Sequence, residues 1–128
     1  MDARIDALRM LDFEAGDAHV LRNAGAVVSD DVLRSLVLSQ RLFGTKTVYV
    51  VAHTDCGLRK IHDDELARSL EAETGAVPPF AFGAFQDPES HVRASVQRVR
   101  ECPWLPNRDD VRGCVLDLET GIVHSVDP

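Results

Sequence analysis

The sequence predicts an α/β domain, a mostly parallel sheet flanked by helices and finished by an antiparallel hairpin. Three observations predict it. The run Thr47-Val48-Tyr49-Val50-Val51-Ala52 is β-branched, aromatic and nearly continuous in apolar character, as expected of a strand covered on both faces. Helical apolar stripes lie on either side of it in the chain, the arrangement that makes neighbouring strands parallel. Near the end, two β-prone runs flank Glu119-Thr120-Gly121, a hairpin signal.

In chain order, Ile5, Leu8 and Leu11 set a short helical stripe that ends at Gly16-Asp17. Ala18-His19-Val20-Leu21-Arg22-Asn23 reads as a short strand closed by Ala24-Gly25-Ala26. Ser29 offers a side-chain oxygen to cap a helix whose first turn carries Asp30 and Asp31 near the positive end of the dipole. Val32, Leu33, Leu36, Val37 and Phe43 continue that helix for about four turns, and Gly44 stops it. After the strand come His53-Thr54-Asp55-Cys56-Gly57 and a helix of mixed charge through Asp63 to Glu73. The stretch from Gly75 to Phe85 is irregular and rich in Pro and Phe, and its Phe80, Phe82 and Phe85 suit either a core or a dimer contact. Asp87-Pro88-Glu89 opens another helix, with Pro in the first turn and Val92, Val96 and Val99 as its buried stripe. Val111–Leu118 and Ile122–Val126 form the two strands of the hairpin.

The 128 residues suit one domain, residues 1–128, with one modest core. Hydrophobic residues at 45% and charged residues at 27% give a globular balance, and no apolar run approaches the roughly 20 residues a membrane helix needs. A net charge of −7 argues against nucleic acid as a partner and offers no patch for a membrane surface. The N-terminal residues carry acid and lack the apolar core of a secretory signal. The three cysteines, Cys56, Cys102 and Cys114, are odd in number and far apart, which fits free thiols in a reducing cytoplasm better than a disulfide framework.

The chemistry concentrates at the end of the best strand, the position where open α/β sheets place their sites. His53-x-x-Cys56 is a borderline-soft pair whose side chains can turn toward one ion; zinc accepts imidazole nitrogen at about 2.0–2.1 Å and thiolate at about 2.3 Å. The plainer alternative is a core thiol beside an unrelated histidine. Gly57 favours the metal reading, because a glycine lets backbone pass close to a bound group. The second constellation is Asp2-x-Arg4, either a solvated charge pair or a carboxylate oriented and held ionised by a guanidinium fork.

Met1-Asp2-Ala3-Arg4, Arg22-Asn23-Ala24-Gly25 and His53-Thr54-Asp55-Cys56-Gly57, in this order, resemble the β-class carbonic anhydrase pattern of Cys-x-Asp-x-Arg, Arg-Asn-Ala-Gly and His-x-x-Cys-Gly. The resemblance extends through Ser29–Leu36 and the closing hairpin, and so covers most of the chain. It implies a β-carbonic-anhydrase-like fold and zinc held by two cysteines and one histidine, with the fourth position open to water. His53 and Cys56 correspond to two of the ligands. Asp2 corresponds to the carboxylate that accepts a hydrogen bond from the metal's water, or that binds the metal itself in a closed state, and Arg4 to its holder. The implied reaction is reversible hydration of carbon dioxide to bicarbonate in a homodimer or higher homo-oligomer.

The same resemblance places the first ligand cysteine immediately before Met1, and implies that the N-terminal helix and first strand of the family are missing from this sequence. On this reading Met1 is an internal methionine of a longer product; the alternative is a short product with an incomplete metal site. Cys102 and Cys114 read as buried structural thiols. His19 reads as packing or hydrogen-bonding near the site, while His62, His91 and His124 read as surface or partly buried residues, His62 being a proton shuttle only if it faces the cleft. Two rivals keep the fold: hydrolysis of a related small molecule such as carbon disulfide, and a metal-deficient, non-catalytic binding or structural homologue. A nucleotide site at Asn23–Ala26 is weaker, since no Gly-x-Gly-x-x-Gly run follows a strand.

Overall fold

A computed structural model describes residues 1–127. Ser29 accepts a hydrogen bond from the Val32 amide at 3.4 Å and opens helix α1 (Asp30–Phe43), which Gly44 closes in a left-handed conformation. Val32, Leu33, Leu36 and Val37 turn one face of α1 toward the core. The chain then enters strand β1 (Val48–His53), where Val48, Val50 and Ala52 are buried and the alternate residues only half so. Helix α2 (Asp63–Thr74) buries no residue, whereas helix α3 (Pro88–Arg100) buries Val92, Val96 and Val99. Strands β2 (Val111–Leu116) and β3 (Val123–Val126) complete the sheet, in the order β1-β2-β3.

The pairing is as the sequence predicts. β1 runs parallel to β2, with Val48 opposite Val111 and His53 opposite Leu116, and β3 is antiparallel to β2. α3 lies close on the sheet because Gly113 has no side chain: a Cβ there would sit 2.5 Å from Val92 Cγ1. The core joins the α3 valines to Val48, Val50, Ala52, Val111 and Val115.

Two expectations fail. The stripe at Ile5–Leu11 forms only a 3₁₀ turn, Arg9–Leu11, because the segment is too short to repay helix nucleation. Asp6 also accepts from the Leu8 and Arg9 amides, at 3.2 Å each, which holds the backbone in a turn instead. Residues 18–23 are not a strand, since a strand needs a ladder and no neighbouring strand is bonded to them. A groove of about 670 Å³ separates this segment from the unpaired edge of β1, with Leu8, Phe13, Val20, Phe43 and Val51 among its apolar walls and Asp2 and His53 at its lining. Of the three phenylalanines left open by the sequence, Phe85 is buried, Phe82 half-buried and Phe80 exposed, the last two edge to face.

Candidate metal centre

The C-terminal end of β1 is pinned before it delivers any side chain. The Thr54 amide donates to Leu116 O at 2.9 Å, and the Thr54 hydroxyl accepts from the Leu118 amide at 2.9 Å. The strand therefore stops in a fixed place, with His53 as its last residue. Asp55 then takes a left-handed conformation, φ 51°, that reverses the chain into Cys56 and a 3₁₀ turn, Gly57–Lys60. Asp tolerates this region better than most residues. An added Cβ at Gly57 would meet nothing within 4 Å, so its glycine answers to no close approach within the protein itself.

His53 Nδ1 lies 2.7 Å from Thr54 O. A carbonyl only accepts, so Nδ1 carries the proton and the Nε2 lone pair is left facing the site, the tautomer a metal ligand needs. No hydrogen bond reaches Nε2 among the described residues; it looks instead at Asp2 Oδ2, 3.9 Å away, too far for a bond. Both side chains are largely covered, His53 at 12% exposure and Asp2 at 19%. Cys56 is buried with a free thiol.

Asp2 is held at both ends. Arg4 Nε and Nη2 donate to its two carboxylate oxygens at 3.0 and 2.7 Å, and the Arg4 amide adds a third bond at 2.9 Å. These bonds hold the Asp2 carboxyl well below the usual carboxylate range, the side-chain bonds from Arg4 being the largest cause. The Asp2 carbonyl accepts from Arg22 Nη2 at 2.6 Å, and Arg22 Nη1 reaches Ile5 O at 2.9 Å. The Arg22-Asn23-Ala24-Gly25 turn is itself fixed. Asn23 spans it with two bonds to Val27, and Gly25, φ 73°, accepts from His91 Nε2 at 2.8 Å. A Cβ at Gly25 would collide with Leu58 Cδ1 at 2.3 Å.

The structure thus brings Asp2, Arg4 and His53 together, with Cys56 three residues beyond His53 in the same turn. The donors present suit zinc in kind, imidazole nitrogen, thiol and carboxylate. The imidazole and the thiol correspond to two of the three ligands that the family resemblance implies, and no set of three His, Cys, Asp or Glu side chains converges on one point among the described residues. Cys102 and Cys114 are buried in the core, with burial pushing the Cys114 thiol up, as befits structural thiols. His19 bonds Ser39 Oγ at 2.8 Å and packs on Phe43; His62 and His124 are exposed.

Arg22, Asp55 and His91 also build the site, and reading motif by motif gave them no role. Arg22 and Asp55 were in view, inside the Arg-Asn-Ala-Gly and His-x-x-Cys runs. His91 has no signal in the sequence, because only folding brings α3 against Gly25.

Fold and site together define an α/β domain with an imidazole–thiol pair at a strand end and a clamped carboxylate opposite. Comparison with known proteins agrees. The carbonic anhydrase family model matches residues 1–77. Beta-carbonic anhydrase 1 of Mycobacterium tuberculosis is 44% identical over 128 residues, covering all of this chain and 78% of that protein. The crystal structure of carbonic anhydrase from Streptococcus mutans superimposes with a TM-score of 0.91 at 36% identity, over 99% of this chain and 77% of that one. The apo form of a carbon disulfide hydrolase follows at 0.88 and 30% identity, over 99% and 75%. The chain belongs to the β-carbonic anhydrase family, a family of enzymes.

Proposed function

We propose that this protein catalyses the reversible hydration of carbon dioxide to bicarbonate at a zinc ion held by His53 Nε2 and Cys56 Sγ. A further thiolate ligand is the one the family pattern places directly ahead of Met1-Asp2-Ala3-Arg4. The observation that carries the proposal is the His53 Nε2 lone pair facing the Arg4-clamped Asp2 carboxylate at 3.9 Å. Zinc, when bound, supplies the Lewis acidity that makes water a competent nucleophile near neutral pH.

The residues of this chain do the rest. Asp2 stays ionised throughout the neutral range, because Arg4 holds its carboxyl low. It therefore serves as a constant hydrogen-bond acceptor that orients the reacting water, and not as a store for the released proton. Arg4 and Arg22 fix its carboxylate and its backbone. Thr54 O fixes the His53 tautomer. His53 and Asp2 both lie at the lining of the groove beside β1.

Among the described residues no helix is long and apolar enough to cross a membrane. Three free thiols support a cytoplasmic setting, and exposed Leu42, Phe43, Phe80 and Trp104 support association with a second copy. The likeness to a carbon disulfide hydrolase favours one second reading, hydrolysis of that related linear molecule at the same residues.

The test is zinc content by elemental analysis, followed by stopped-flow hydration and carbon disulfide assays on the same preparation. About one zinc per chain with hydration above buffer, both lost in Cys56→Ser, is the expected result. Zinc with carbon disulfide turnover alone selects the second reading. Zinc without either activity overturns both, and no zinc with no turnover points to the non-catalytic homologue.

A further inference from the structure

Arg4 does not face Asp2 alone. One edge of its guanidinium, Nε and Nη2, is spent on the Asp2 carboxylate. The remaining nitrogen, Nη1, donates to Asp55 Oδ2 at 3.0 Å, and Nη2 also reaches Asp55 O at 3.3 Å. The other Asp55 oxygen lies 3.4 Å from Lys60 Nζ, so each oxygen of that carboxylate has its own cation. Hydrogen bonds from Arg4 first, and from Lys60 second, hold the Asp55 carboxyl below its ordinary range.

We propose that Asp55 is a positioning residue that keeps Arg4 at the site independently of Asp2. Three features carry this. The contacts use the face of the guanidinium that Asp2 leaves free, so the two carboxylates do not compete for Nη1. The left-handed backbone of Asp55 turns both its carboxylate and its carbonyl toward Arg4, and few residue types adopt that conformation. Asp55 also stands between His53 and Cys56, so the contact ties the N-terminal segment to the turn that carries both metal donors. A change of partner by Asp2 then leaves Arg4 in place and ready to receive it again.

The rival account is an ordinary surface ion pair, since Arg4 and Asp55 are each more than half exposed. An isolated pair of that kind would let Arg4 swing into solvent once Asp2 is removed. A guanidinium held by both the carboxylate and the carbonyl of Asp55 would not.

The consequence for turnover rests on the carbonic anhydrase reading, so the deciding measurement reads Arg4 directly. In 15N-labelled protein the Arg4 Nε–Hε signal is assigned by its loss in Arg4→Lys, and its order is measured in D2A, D55N and the double variant. Asn also tolerates the left-handed region, so D55N removes charge while sparing the backbone. The expected result is an order parameter above about 0.6 in D2A and below it in D2A/D55N. Mobility in D2A as great as in the double variant overturns the proposal, as does order in the double variant equal to that in D2A. Unchanged backbone amide shifts in the core strands show that each variant is folded. A parent protein with no hydration activity would defeat the functional reading and leave the result for Arg4 intact.

Discussion

His91 and Arg22 act on Asp2 through the backbone, one behind the other. His91 fixes the carbonyl of Gly25, and the turn so fixed presents Arg22 to the Asp2 carbonyl. Burial pushes the His91 ring below its ordinary pKa, so the folded protein holds it neutral, stacked on Phe85 at 4.3 Å. Linkage gives the sign. The unfolded chain binds this proton near pH 6.5 and the folded chain only below that. The contribution of His91 is therefore intact above about pH 6.5 and is lost as pH falls from there through the folded value. His91→Phe keeps the aromatic stack and strands the Gly25 carbonyl. It should cost about 1 kcal/mol at pH 7.5 and flatten the stability profile just below pH 6.5, as read from urea midpoints. An equally steep acid limb in the variant would mean that another group titrates there.

At the scale of elements, α1 and α3 were legible for different reasons. α1 announces its start with Ser29-Asp30-Asp31 and its stop with Gly44, and the helix occupies Asp30–Phe43. α3 is marked by Asp87-Pro88 and a valine stripe, and two of those valines, Val92 and Val99, are the most deeply buried side chains among the described residues. Their weights should differ accordingly. Val99→Ala empties space in the closed core and should cost about 2 kcal/mol, whereas Ser29→Ala removes one cap bond, of 3.4 Å, and should cost about 1 kcal/mol or less. Thermal or urea unfolding of the two variants checks the ranking; the reverse order would mean that α1 contributes more than its half-buried face suggests. Residues 18–23 escaped the same reasoning because a strand is a property of a pair. Apolar β-prone residues there predict extended backbone, but only a bonded neighbour makes a ladder.

Across the whole molecule the charge is acidic, yet several carboxylates are placed to stay ionised. Asp2, Asp55, Asp63, Asp87, Asp110 and Asp117 are all held below the ordinary range. Asp63 shows the cause most directly: its carboxylate accepts the amides of Ala84, Gly83 and Phe82 at 2.8, 3.0 and 2.9 Å and so ties the irregular stretch to α2. The unfolded chain protonates such groups near pH 4, the folded chain only at lower pH. Their stabilisation is thus complete above about pH 4 and disappears as pH falls through the folded values. The urea midpoint should drop steeply as pH falls below about 4. In Asp63→Asn the midpoint should be lower at pH 6 and the drop smaller. An unchanged drop would assign the acid sensitivity to the other five.

What the sequence determined by itself was local and periodic. The strand at Thr47–Ala52, the capped helices, the hairpin and the order of Asp2, Arg4, His53 and Cys56 depend on residues near one another in the chain, where propensity, capping and spacing act directly. What only the tertiary structure decided was mutual placement. Residue 4 came to lie against residue 55, residue 22 against residue 2, and residue 91 against residue 25, each across a separation at which no local rule operates. Those contacts fix where the Arg4 guanidinium sits against the turn after β1 and how the Asp2 backbone is held, whereas the bare nitrogen of His53 is set locally by Thr54 O. They arise because burying the valines of α3 on the sheet brings distant polar groups together, and each must then find a partner.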